Sequence, residues 1–134
     1  MNTAHPDLLV AEDNPLEAKL LQLALRAVEP ALRVVFVRDG AEALERIAAC
    51  APRLVALDLK MPKLDGLEVL RHLKSDPATR ELPIVIFTSS SEEVDRAACA
   101  ALNAAGYFVK PIGFDGYREV ARRLVQTLAL PKAA

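Results

Sequence analysis

Short apolar runs alternate with longer amphipathic stretches along this chain. The runs are LLVA (8–11), RVVFV (33–37), LVALD (54–58), IVIFT (84–88) and YFVK (107–110). Valine, isoleucine, leucine and phenylalanine dominate them, and polar alternation is weak. That is the pattern of strands covered on both faces of a parallel sheet. Between the runs, apolar positions recur at helical spacing near 15–28, 40–50, 67–75, 92–103 and 114–129. Five strand-then-helix units in strict order predict a doubly wound α/β domain, with a five-stranded parallel sheet and five helices.

The helix starts support that reading. Asn14 can cap the first helix, with Pro15 at its first position and Glu17 three residues past the cap. Asp65 with Glu68, and Ser90 with Glu93, repeat the cap-x-x-Glu spacing. Asp39-Gly40 and Asp65-Gly66 read as turns and caps. The last helix carries Phe114, Tyr117, Val120, Ala121, Leu124 and Leu128 as one core-facing stripe. The tails at 1–6 and 131–134 are read as loose.

Composition narrows the class. A length of 134 residues suits one domain. With 17 basic and 18 acidic residues the net charge is -1, which argues against a basic footprint for nucleic acid and against an electrostatic membrane anchor. No apolar run reaches the ~18 residues of a membrane span, and MNTAHPD lacks the build of a signal peptide. Cys50 and Cys99 lie in alanine-rich helical contexts without metal-ligand spacing, so a reducing, cytoplasmic setting is expected.

The candidate chemistry lies where the strands end. In a doubly wound sheet, ligands collect at the carboxyl ends of the strands. The first strand is followed by Glu12-Asp13, the third run ends in Asp58, the fourth in Thr88 and the fifth in Lys110 before Pro111. Three carboxylates brought together need compensation by a cation. Lys110 is one, and a hard divalent ion such as Mg2+ is the natural second. Asp13 and Asp58 could supply ligands, and Glu12 could hold a ligand water. Thr88 and Lys110 offer donors to phosphoryl oxygens, and Asp58 is the candidate nucleophile.

At these residues the chain closely resembles the receiver domain of two-component response regulators. The stretches that carry the resemblance are LLVAEDNP, LVALDLKMPKLDGLEVLRHLK, LPIVIFTSSS and AAGYFVKP, and it runs over about 7–129. It implies a flavodoxin-like sheet in the order 2-1-3-4-5. It implies that Asp58 accepts phosphate from a sensor histidine kinase. Glu12 and Asp13 match the acidic pair at Mg2+, and Lys60 matches the position whose backbone carbonyl completes the metal site. Thr88 matches the switch hydroxyl, Tyr107 the aromatic switch residue, and Lys110 the phosphate-pairing lysine. The Lys110–Pro111 bond matches one that is usually cis in the family. A domain that fills about 7–129 leaves no room for an output module, so output is expected through protein contacts. SDPATRELPIVIFTSSS and YFVKP look like the small regulators paired with bacterial phytochromes.

Two other families share parts of this pattern. An aspartate-based Mg2+-dependent phosphatase of the haloacid dehalogenase type also joins Asp, Thr or Ser, and Lys. That family has Asp-x-Asp at its first strand, whereas Asp58 is followed by Leu59 and Lys60. A nucleotide or flavin binder lacks a glycine-rich loop after the first strand. His72 reads as a solvated helix position and His5 as inert. Ala97, Ala98, Ala100 and Ala101 make the fourth helix smooth, which suggests a homodimer through the fourth helix, fifth strand and fifth helix.

Overall fold

The computed structural model describes residues 5–129. The elements follow in order β1 (Leu8–Ala11), α1 (Pro15–Val28), β2 (Val34–Val37), α2 (Gly40–Cys50), β3 (Leu54–Leu57), α3 (Gly66–Ser75), β4 (Ile84–Thr88), α4 (Glu93–Ala101), β5 (Gly106–Val109) and α5 (Phe114–Ala129). All strand pairs are parallel, and the sheet order is β2-β1-β3-β4-β5. The expected tails lie, for 1–4 and 131–134, outside the described residues.

The two-residue period of the strands divides the core into two layers. Leu9, Ala11, Val55, Leu57, Ile84 and Ile86 face α2 and α3, with Cys99 of α4 closing that layer. Leu8, Val10, Leu54, Ala56, Val85 and Phe87 face α1 and α5. Central strands β1, β3 and β4 are therefore buried throughout. In α5 the buried stripe is Tyr117, Val120, Ala121 and Leu124. Phe114 is 40% exposed, because the helix starts there at the sheet edge before it reaches the core.

Three helix starts are built as expected. Asn14 Oδ1 accepts from the Leu16 and Glu17 amides at 2.9 and 3.1 Å. Asp39 Oδ1 accepts from the Glu42 amide at 2.7 Å. Asp65 and Glu68 form a reciprocal capping box at 2.9 and 3.1 Å. The expected Ser90 cap is not made. Helix α4 begins later, with Glu92 at the cap position and no side-chain bond there. The Ser90 hydroxyl donates to Asp95 Oδ2 at 2.5 Å and accepts from the Glu92 amide at 3.2 Å, one residue short of the Glu93 amide that the cap spacing calls for.

Helix α4 also ends earlier than the apolar spacing suggests. Asn103 turns left-handed, with φ 63°, and its amide donates to Ala100 O at 2.9 Å. The Ala104 amide donates to Cys99 O at 3.1 Å, which completes a Schellman stop. The bond before Pro111 is trans, as are all peptide bonds among the described residues. Trans is the lower-energy isomer even before proline, by about 0.5–1 kcal/mol.

Candidate functional site

Parallel pairing puts the ends of all five strands on one edge. Leu57 pairs with Ile86, and Thr88 pairs with Val109. Asp58, Thr88 and Lys110 are thereby brought to the same rim, one residue beyond or at the end of their strands. Glu12 follows β1, and its amide is fixed by a 2.9 Å bond to Val37 O. The Lys110 amide is fixed by a 2.7 Å bond to Thr88 O.

Lys110 is the hub of the rim. Its side chain is 6% exposed, and its ammonium lies 2.6 Å from Glu12 Oε1, 2.6 Å from Glu17 Oε1 and 2.8 Å from Asp58 Oδ2. Directed hydrogen bonds run to Glu17 and Asp58. Glu12 Oε1, although close, lies off the angle of a hydrogen bond and is a buried oxygen without a donor. Its other oxygen, Oε2, accepts from the Asn14 amide at 3.1 Å. Asp58 has both oxygens engaged: Oδ2 by Lys110, and Oδ1 by the Lys60 amide at 3.2 Å.

Burial sets the electrostatics. Desolvation raises the Glu12 carboxyl to about 7, against the opposing pull of Lys110 and the Asn14 amide. Burial alone would lower the Lys110 ammonium. The Asp58, Glu12 and Glu17 carboxylates held against it outweigh that and keep it well above the ordinary lysine range. The lysine is therefore a fixed positive charge at any physiological pH.

Acceptor oxygens of Glu12, Glu17 and Asp58 lie within 4.8 Å of one another. Mg2+ asks for such hard oxygen donors, and the donor-less buried oxygen of Glu12 is a ready place for one bond. The residues present thus fit a divalent cation. Asp13 is exposed and lies outside this cluster. Glu17 takes the third place around the lysine, a position that cap spacing alone had explained. Lys60 reaches the site through its amide.

A second set of contacts leads away from the rim. Thr88 is fully buried, and its Oγ1 accepts from the Ser90 amide at 3.3 Å. The Tyr107 hydroxyl donates to Ser90 O at 2.9 Å, and burial raises that hydroxyl. The Arg96 guanidinium sits 4.5 Å from the centre of the Tyr107 ring. Thr88 and Tyr107 therefore meet at one residue, Ser90. His72 is exposed in α3, away from these contacts, and His5 bonds to Cys50 O at 2.9 Å.

Comparison with known proteins agrees with this geometry. The model of the response regulator receiver domain matches residues 8–122, which include every candidate site residue. The chain is 28% identical to the response regulator Rcp1 of Synechocystis sp., over 94% of this chain and 93% of that one. It superposes on the phosphorylated cyanobacterial phytochrome response regulator RcpA with TM-score 0.84 and 32% identity, covering 93% and 94% of the two chains. It superposes on the bacteriophytochrome response regulator AtBRR with TM-score 0.76 and 35% identity, covering 99% and 98%. Some curated relatives are longer: the chain spans 35% of a Myxococcus xanthus protein-glutamate methylesterase/protein-glutamine glutaminase to which it is 39% identical. The fold, the strand-end cluster and the match across 8–122 together make this chain a member of the response regulator receiver domain family.

Proposed function

We propose that the chain is a phosphoacceptor signalling module of the cytoplasm that takes a phosphoryl group on Asp58 from a sensor histidine kinase. The observation that carries this reading is the environment of Asp58. It is a nearly buried carboxylate at a strand end, with one oxygen on the Lys60 amide and the other on a fixed ammonium. Such an oxygen is aimed rather than mobile, which is what attack on phosphorus requires. A carboxylate oxygen attacks the phosphorus of phosphohistidine, the phosphorus–nitrogen bond breaks, and the imidazole leaves. Glu12, Asp13, Asp58 and the Lys60 carbonyl are the proposed partners of Mg2+. When bound, that ion neutralises phosphoryl oxygens during transfer.

The chain's own donors do the rest. The Lys110 ammonium turns from carboxylate to phosphoryl oxygen. The Thr88 oxygen accepts from the Ser90 amide, and its hydroxyl hydrogen is the donor it can offer to the new anion. A shift of Thr88 is passed through Ser90 to the Tyr107 hydroxyl, the proposed aromatic switch. Output follows through protein contacts of α4, β5 and α5, with a homodimer as the proposed form. Val94 and Val109 on this face are 77% and 38% exposed. Light scattering over a concentration series, with and without phosphodonor, is expected to show the dimer, and monomer throughout would refute it.

The partner proposed is a bacteriophytochrome, because RcpA and AtBRR are named as phytochrome response regulators. Phosphotransfer profiling tests this directly. Labelled phosphate is expected to leave a phytochrome-linked kinase and appear on this chain fastest. Transfer from another kinase class alone would replace the partner, and failure with every histidine kinase would refute the function.

A further inference from the structure

Glu17 stands out among the residues around Lys110. It comes from a helix, not a strand end, and is 93 residues away in sequence from the lysine it touches. Its backbone is pinned by the Asn14 cap at 3.1 Å, so the first turn of α1 presents its carboxylate at a fixed place. Its side chain is one-third exposed, whereas those of Glu12 and Asp58 are nearly buried. The ammonium therefore has two inner partners and one at the mouth.

We propose that Glu17 is a positioning residue for Lys110, holding the ammonium in place when a divalent cation takes Glu12 and Asp58. This rests on the cation reading of the site given above. Glu12 and Asp58 are the strand-end acids, and Glu12 has an oxygen that lacks a directed donor. A cation that engages both deprives the buried ammonium of two of its three partners. An ammonium left buried and unpaired is costly, so without Glu17 it would compete with the cation for Asp58. The charge-assisted bond to Glu17 removes that competition and keeps the ammonium beside the acceptor oxygen. Glu17 thus acts on the cation through Lys110.

The test is a Mg2+ titration of the full chain with lysine side-chain nitrogens isotopically labelled. It follows the Lys110 ammonium signal by NMR, assigned by its loss in Lys110→Arg, together with the apparent Kd. In the wild type the signal is expected to persist at saturating Mg2+. In Glu17→Gln it is expected to vanish into solvent exchange as Mg2+ binds, with Kd weakened about 3- to 10-fold. Survival of the signal in Glu17→Gln, its loss in the wild type, or an unchanged Kd overturns the proposal.

A second arm separates positioning from direct ligation. In a Lys110→Met background, Glu17→Gln is expected to change Kd by less than about 2-fold, since nothing remains for Glu17 to hold. Persistence of the full weakening there would make Glu17 a metal ligand and overturn the proposal. Lys110→Gln serves as the background if methionine prevents folding. A wild type that shows no Mg2+-dependent change at all refutes the cation reading itself, which distinguishes that failure from this one.

Discussion

Replacing Glu12 with glutamine isolates the electrostatic cost built into the rim. The Glu12 side chain is 2% exposed, and desolvation moves its carboxyl from 4.5 to about 7. The sign follows from linkage. A carboxyl whose folded-state value is raised stabilises the fold fully below the unfolded value, and that contribution is lost as pH rises through the folded value. Between pH 5 and 7 the folded state holds one proton that the unfolded chain has released. Stability then falls by about 1.4 kcal/mol per pH unit from this group alone. The accumulated loss reaches about 2–3 kcal/mol by pH 8, with water at the mouth trimming the upper figure.

Glutamine is neutral and nearly isosteric, so Glu12→Gln lacks this dependence. Urea unfolding of both proteins in EDTA, from pH 5 to 8.5, is the assay. The other ionisable side chains are the same in both proteins, so the difference between the curves reports Glu12. The variant is expected to gain on the wild type as pH rises, by about 2–3 kcal/mol at pH 8. A flat difference, or one of opposite slope, would refute the reasoning. Mg2+ has to displace the Glu12 proton, so wild-type affinity for Mg2+ should rise over the same interval.

Two further outcomes concern the packing that supports the rim. A Cβ on Gly66 would stand 2.1 Å from Asp58 O and 2.8 Å from Leu59 Cα, both backbone atoms. Gly66→Ala should therefore cost about 1–3 kcal/mol in urea unfolding and slow phosphorylation, and a neutral effect would show that the α3 start does not brace Asp58. Cys99 is fully buried, with its thiol raised first by desolvation and then by Asp95, whereas Cys50 is half-buried. A thiol reagent should modify Cys50 alone in the native protein, and simultaneous reaction of both thiols would contradict the burial of α4 against the sheet.

What was legible in the sequence was what local rules encode. The continuous apolar runs and the Asn14, Asp39 and Asp65 caps located the elements, and parallel pairing then carried Asp58, Thr88 and Lys110 to one edge. Glu17 was hidden because an acid three residues past a cap already has a sufficient local explanation. Its contact with Lys110 depends on α1 lying beside the β5–α5 turn, which no periodicity reports. Ser90 failed as a cap for the complementary reason. Its spacing to Glu93 was right, but its oxygen accepts from the Glu92 amide in a turn ahead of the helix, which starts only at Glu93. Asn103 ended α4 by its left-handed backbone, a stop that alanine-rich spacing does not signal.

The most direct test concerns Asp58 itself. Wild type and Asp58→Asn are incubated with acetyl phosphate and Mg2+, and each is followed by intact-mass spectrometry. A single phosphoryl adduct on the wild type, labile to base and absent from Asp58→Asn, is the expected result. An adduct of equal yield on Asp58→Asn, or none on the wild type, would contradict the assignment of Asp58 as the phosphoacceptor.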